Sequence, residues 1–261
     1  MPPMKQGALR GSPVVPVRLR DKWADILSPT ADAQAFHPDQ VAHLPAPAGR
    51  WLCHAIAAGT LLRRRAELRQ HGQIKIAGRW WPIRSRQALD PLRGYVWPVR
   101  TSVAGLPLLG VDLLADGEAE LTHRLLGVVP VVEMQGLDVV RSAAARAASE
   151  ICWSPATALD PAISWRVTGP DETVASIPIA GETVDVALKT TRDGAVISLT
   201  AQRWTRSDDG SWQWRTFGAH VLEEASFGGF TVPSRVVAGY GDDFTGAGAF
   251  IRLIVDDLVM H

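Results

Sequence analysis

The sequence predicts a mainly β protein: one highly curved antiparallel sheet, a half-barrel or incomplete barrel, packed on one long helix, with short helices near the N-terminus. Three observations carry this. From Ala66 onward the chain is a succession of short stretches cut by turns such as Ala77-Gly78, Asp116-Gly117 and Asp193-Gly194. Links this short join strands only as antiparallel neighbours. A single Ala-rich segment with a 3.6-residue apolar period interrupts the series.

Taken in order, residues 1–33 mix Pro, Gly and Arg without periodicity and read as a flexible tail, in which Trp23, Ile26 and Leu27 can dock as one short turn. The basic stretch is not followed by the apolar core of a secretory leader, so a cytoplasmic protein is expected. Residues 34–261 read as a single domain. Val41, Leu44, Trp51, Leu52 and Ile56 suit one or two short helices broken at Pro45 and Pro47. Strands are expected at 68–76, 79–83, 95–103, 106–114 and 118–126. A helix follows over 137–153, with Asp138 placed to cap it and Pro155 to stop it. Its apolar stripe is Val140, Ala143, Ala144, Ala147 and Ile151, and the small residues allow close approach to a sheet. Eight further strands are expected at 163–168, 173–179, 183–190, 195–203, 211–217, 219–226, 231–239 and 247–257.

Composition excludes several functions. Lys+Arg 27 against Asp+Glu 27 leaves no field for a polyanion, so nucleic acid is not an expected partner. Two Cys supply neither a disulfide framework nor a zinc knuckle, and the seven His are scattered, so no metal is expected. No apolar run approaches the roughly 20 residues that span a bilayer as a helix. Gly228-Gly229 and Gly246-Ala247-Gly248 lack the strand-to-helix context and the Lys-Ser/Thr of a phosphate loop, so no nucleotide cofactor is expected. Oligomeric state is not legible. What stands out is ten Trp beside two Tyr and six Phe.

Four ionisable residues are candidate acid–base groups. Glu150 lies on the face of Ala143 and Ala147; buried, its pKa would rise toward a general acid's, while the plainer alternative is an i,i+4 pair with Arg146. His123 shares the apolar face of its strand with Ala119, Leu121 and Leu125, as a satisfied core histidine or as a proton donor. Asp112 stands among leucines and needs a partner if covered. His220 shares a face with Leu222 and Glu224. No pair has a spacing that specifies a mechanism. Trp97, Trp153, Trp204, Trp214 and Tyr240 are the candidate ligand-binding aromatics, since indoles on a concave sheet make an apolar pocket with a few placed N–H donors.

Several strings carry a resemblance: HPDQVAHLPAPAGRWLCHAIAAGT, IAGRWWPIRSRQAL, GYVWPVR, DLLADGEAELTHRLLGVVPVV, RSAAARAASEICWSPATAL and FGGFTVPSRVVAGY. In this order they resemble the actinobacterial DUF6544 family (also filed as DUF6920), from about Phe36 to the C-terminus. The most specific part is E-x-x-W-x-P-[TS]-A, here Glu150 to Ala158 with one residue more between Pro155 and Thr157-Ala158. Where family members often carry a Trp pair after Ala-Gly, this chain has Tyr240-Gly241-Asp242-Asp243, which implies a different ligand if those aromatics line a pocket. The resemblance implies an architecture like the lipoprotein-carrier half-barrels of the LolA and LppX type, and no agreed activity. Two functions follow as expectations. The first is a cofactor-independent cyclase or isomerase acting on a hydrophobic polyketide- or terpenoid-type intermediate in natural-product biosynthesis. The second is a non-catalytic carrier of a lipid-like ligand, set behind the first because the analogous carriers work outside the cytoplasmic membrane.

Overall fold

A computed structural model describes residues 12–29, 34–207 and 209–261. Two short helices, α1 (Arg20–Ile26) and α2 (Ala46–Ala55), precede the sheet. Then come β1 (Ala66–Ile76), β2 (Arg79–Asp90), β3 (Gly94–Val103), β4 (Leu106–Ala115), β5 (Glu118–Leu125) and β6 (Val129–Gln135). The long helix α3 (Leu137–Ser149) leads to β7 (Ser164–Gly169), β8 (Glu172–Ile179), β9 (Glu182–Thr190) and β10 (Val196–Arg206). β11 (Trp212–Phe227), β12 (Phe230–Tyr240) and β13 (Ala249–Met260) complete the chain.

All thirteen strands form one antiparallel sheet, in the order β6-β5-β4-β3-β2-β1-β13-β12-β11-β10-β9-β8-β7. It is two meanders joined at one seam, where β1 pairs with β13. β6 and β7 are its free edges, so the barrel stays open. Strand twist coils a sheet of this width, and register shifts at Arg69/Gln70, Val221/Glu223 and Ala238/Gly239 bend it further. α3 connects the two edges and packs across the inner face against β3–β6 and β8–β10. Its stripe of Val140, Ala143, Ala144, Ala147 and Ile151 is buried, as its period requires.

Several local expectations change. Pro45 and Pro47 do not break a helix; they begin α2, where a missing N–H costs nothing. Gly136, with a φ of 100°, is the N-cap that precedes α3, and Asp138 caps nothing. Its carboxylate instead accepts the Trp204 indole N–H at 2.7 Å. The helix ends at Ser149, and Pro155 opens a separate 3-10 turn, Pro155–Leu159. The expected strands 211–217 and 219–226 are one strand, β11. Gly218 suggests a break, but it is there to admit the Phe244 ring, which would lie 2.5 Å from an added Cβ. β6 has no counterpart in the sequence expectations; it is an edge strand, where its Pro130 is tolerated.

The tail expected over 1–33 lies outside the described residues at 1–11 and 30–33. Its remaining part, 12–29, packs as more than one turn. Val15, Leu19, Ile26 and Leu27 form a second core with Ala88, Val96, Val111, Leu113 and Ala115, on the face of β2–β4 away from α3. Burying a side chain of this size contributes roughly 1.5–3 kcal/mol before its ordering cost. The Arg93–Asp25 ion pair at 2.5 Å is exposed and adds little.

Candidate functional site

The last turn of α3 and its C-cap place Arg146 and Glu150 four residues apart, facing the inner sheet. The Arg146 Nε donates to Glu150 Oε1 at 2.9 Å, and its Nη1 donates to Asp112 Oδ2 on β4 at 2.8 Å. Asp112 Oδ1 lies 3.2 Å from His123 Nε2 on β5. The second oxygen of Glu150 accepts the side-chain N–H of Gln87 on β2. A continuous network therefore runs His123–Asp112–Arg146–Glu150–Gln87. Gly110, opposite His123, makes room for the imidazole: a Cβ there would sit 2.5 Å from its ring.

Arg146 is the hub. Its side chain is only 12% exposed, and its Cζ lies 4.5 Å from the ring centroids of both Tyr95 and Trp97. Burial works against its charge, but Glu150, Tyr95 and Asp112 outweigh burial and raise its pKa, so the guanidinium is permanently charged. Behind it, Trp97 Nε1 donates to Gln70 Oε1 at 3.2 Å, and Ser85 Oγ donates to the same oxygen at 3.0 Å.

Trp97, Asp112, His123, Arg146 and Glu150 form one wall of a cavity of about 260 Å³. The rest of the lining is mainly apolar, with Leu121, Trp153, Leu199, Phe217, Val236 and Leu253 prominent, and also holds Ser149, Arg203 and Tyr240. Such a lining, with a few convergent polar groups, is the usual make-up of a small-molecule pocket, though the volume falls just below the roughly 300–1,000 Å³ range. A larger groove of about 430 Å³ involves residues 12–18 and β3–β5, and none of Asp112, His123, Arg146 or Glu150 lines it. Cys152 also lines the cavity, but burial, with Glu150 second, drives its pKa above the ordinary thiol range, which denies it a nucleophile's role near neutral pH. Among the described residues no group of three His, Cys, Asp or Glu is placed to hold a metal ion.

Six of the residues singled out in the sequence meet here: Glu150, His123, Asp112, Trp97, Trp153 and Tyr240. Three do not. Ala219 lines the cavity, so strand alternation turns His220 to the other face of β11. Trp204 sits at the start of α3, near Trp212 and 5.2 Å from Trp214 between ring centroids. Trp214 is half exposed beside Arg141 and Glu182. Sequence reasoning missed Gln87 and Arg203, and saw Arg146 only as a partner of Glu150. The alternation Leu199, Ala201, Arg203 in β10 was the available signal, an apolar face ending in a cation.

The model of DUF6544, a family of unknown function, matches residues 34–250. The chain belongs to the DUF6544 family. No curated protein matches it. Among solved structures it is similar to a LolA superfamily protein from Nitrosomonas europaea, at 8% identity and a TM-score of 0.45 over 83% of this chain and 92% of that one. It is also similar to an outer membrane lipoprotein-sorting protein domain from Vibrio parahaemolyticus, at 8% identity and a TM-score of 0.41 over 76% and 85%. A DUF1329 family protein from Desulfovibrio piger matches at 11% identity and a TM-score of 0.35 over 76% and 86%. No helix among the described residues is long and apolar enough to cross a membrane.

In this DUF6544 chain the Glu150–Ala158 signature is a buried junction. Glu150 ties α3 to Gln87, and Trp153 Nε1 donates to the Pro233 carbonyl at 2.9 Å. Ser154 and Thr157 hydroxyls both donate to the Arg64 carbonyl and lie 2.8 Å from each other. The motif anchors the end of the helix to both meanders.

Tyr95 offers a pH test of the network. Burial pushes its phenol up to about 12, against the pull of Arg146. A folded-state pKa above the unfolded value gives stability that is whole below about pH 10 and lost as pH rises toward 12. In an alkaline absorbance titration, one tyrosine should ionise only near pH 12 or with unfolding, and Tyr95→Phe should delete that late step. A wild-type chain with both phenols ionised by pH 11 while still folded would sink the expectation.

Proposed function

We propose that this protein binds and carries a hydrophobic small molecule in the cavity between α3 and the inner sheet. The observation that supports this is the pairing of a mainly apolar lining with two carboxylates that are already engaged by neighbouring side chains. Both oxygens of Glu150 are already acceptors, and Asp112 is shared between Arg146 and His123. Carboxylates engaged in this way leave few groups free to transfer a proton. Catalysis of cyclase or isomerase type on an apolar intermediate is the second reading, and the His123–Asp112 pair facing the cavity is what favours it.

The test uses the neutral fluorescent probe N-phenyl-1-naphthylamine. It should bind one molecule per chain and be excluded from Ala219→Trp, which fills the cavity from β11 while circular dichroism reports an intact sheet. Probe that binds a folded Ala219→Trp as well as wild type, or fails to bind wild type, would overturn the carrier reading. The enzymatic reading requires turnover that His123→Gln abolishes while probe binding stays nearly unchanged.

A further inference from the structure

We propose that the carried molecule has an anionic head group, held at the cavity rim by Arg203 and Arg215; this rests on the cavity reading above. The two arginines are directly opposite in the β10–β11 ladder and so lie on the same face of the sheet. Like charges facing each other across strands cost stability. Both lie over Tyr240, with Cζ-to-centroid distances of 5.9 and 5.3 Å, and Arg203 is also 5.3 Å from the Phe217 centroid. Contact with aromatic faces eases the repulsion but leaves two positive charges.

Among the described residues no carboxylate forms an ion pair with either arginine. The two acids that line the cavity, Asp112 and Glu150, are engaged by Arg146, and Asp138 at the start of α3 is engaged by the Trp204 indole. The Arg203 Nε donates to the Ser142 carbonyl and hydroxyl at 3.2 and 3.3 Å, which orients the guanidinium and leaves its terminal nitrogens free of protein partners among the described residues. A planar fork held in this way suits the paired oxygens of a carboxylate or a phosphate.

Arg203 lines the cavity and is partly buried, whereas Arg215 is exposed. Leu199, Val236 and Leu253 supply apolar lining in the same cavity as Arg203. The arrangement takes an amphipathic anion, with its head between the two guanidiniums and its hydrocarbon inside.

Displacement of N-phenyl-1-naphthylamine by dodecanoate, dodecyl phosphate and dodecanol tests this. Both anions, or one of them, should compete roughly tenfold better than the alcohol, the difference a charge-assisted pair supplies. Whichever anion is preferred assigns the head group. Arg215→Gln, at an exposed position, should weaken the anion without affecting dodecanol, and Arg203→Gln should do so more strongly. Dodecanol competing as well as both anions, or a preference that survives in the folded double variant, would overturn the head group and leave the carrier reading intact. A probe that binds wild type nowhere would overturn both.

Discussion

Arg146→Ala should destabilise the protein by about 3–5 kcal/mol, the cost of stranding buried carboxylates by removing their partner. Asp112 and Glu150 both keep their buried positions in the variant, and each loses a guanidinium N–H at 2.8–2.9 Å. Tyr95 and Trp97 lose the cation stacked against them. Urea titration measures the effect directly. The attribution to unpaired charge has its own control: Arg146→Met combined with Asp112→Asn and Glu150→Gln should recover a large part of the loss, because it removes the charges together. A single variant within about 1 kcal/mol of wild type would show that solvent reaches these acids freely.

Trp153→Ala should cost about 3–5 kcal/mol as well, by a different route. The indole is 5% exposed, sits at the end of the α3 junction and donates its N–H to Pro233 on β12. Truncation removes apolar contact and leaves a buried carbonyl without its donor. Because Trp153 also lines the cavity, the variant enlarges it. Trp153→Phe should lose less stability, since most of the volume stays. If Trp153→Ala melts like wild type, the structural role of the indole is refuted.

Much of the fold was legible in the residues. Turn dipeptides such as Ala77-Gly78 and Asp116-Gly117 mark hairpins because positive φ is needed there, and both are turns with positive φ. The Ala stripe of α3 carries its own period. Misreadings came where a residue answers to a distant neighbour. Gly218 makes space for Phe244, and Pro130 is permitted because β6 is an edge. Asp138 and Trp204 are far apart in sequence, so nothing local diverts the carboxylate from a capping role to an indole.

The site divides along the same line. Glu150 with Arg146 is visible as an i,i+4 pair, and His123 as a polar residue on an apolar strand face. The sequence by itself determined these local facts, together with the antiparallel order of each meander, because they depend on period and on links too short to permit another arrangement. Tertiary structure alone decided that β1 meets β13, which sets Ile74 opposite Ile251 and brings both into one cavity wall. It also decided that Asp112 meets Arg146 and that Arg203 faces Arg215 across a strand pair. Pairing between segments remote in sequence is settled by burial and register over the whole sheet, and no short stretch of residues encodes it.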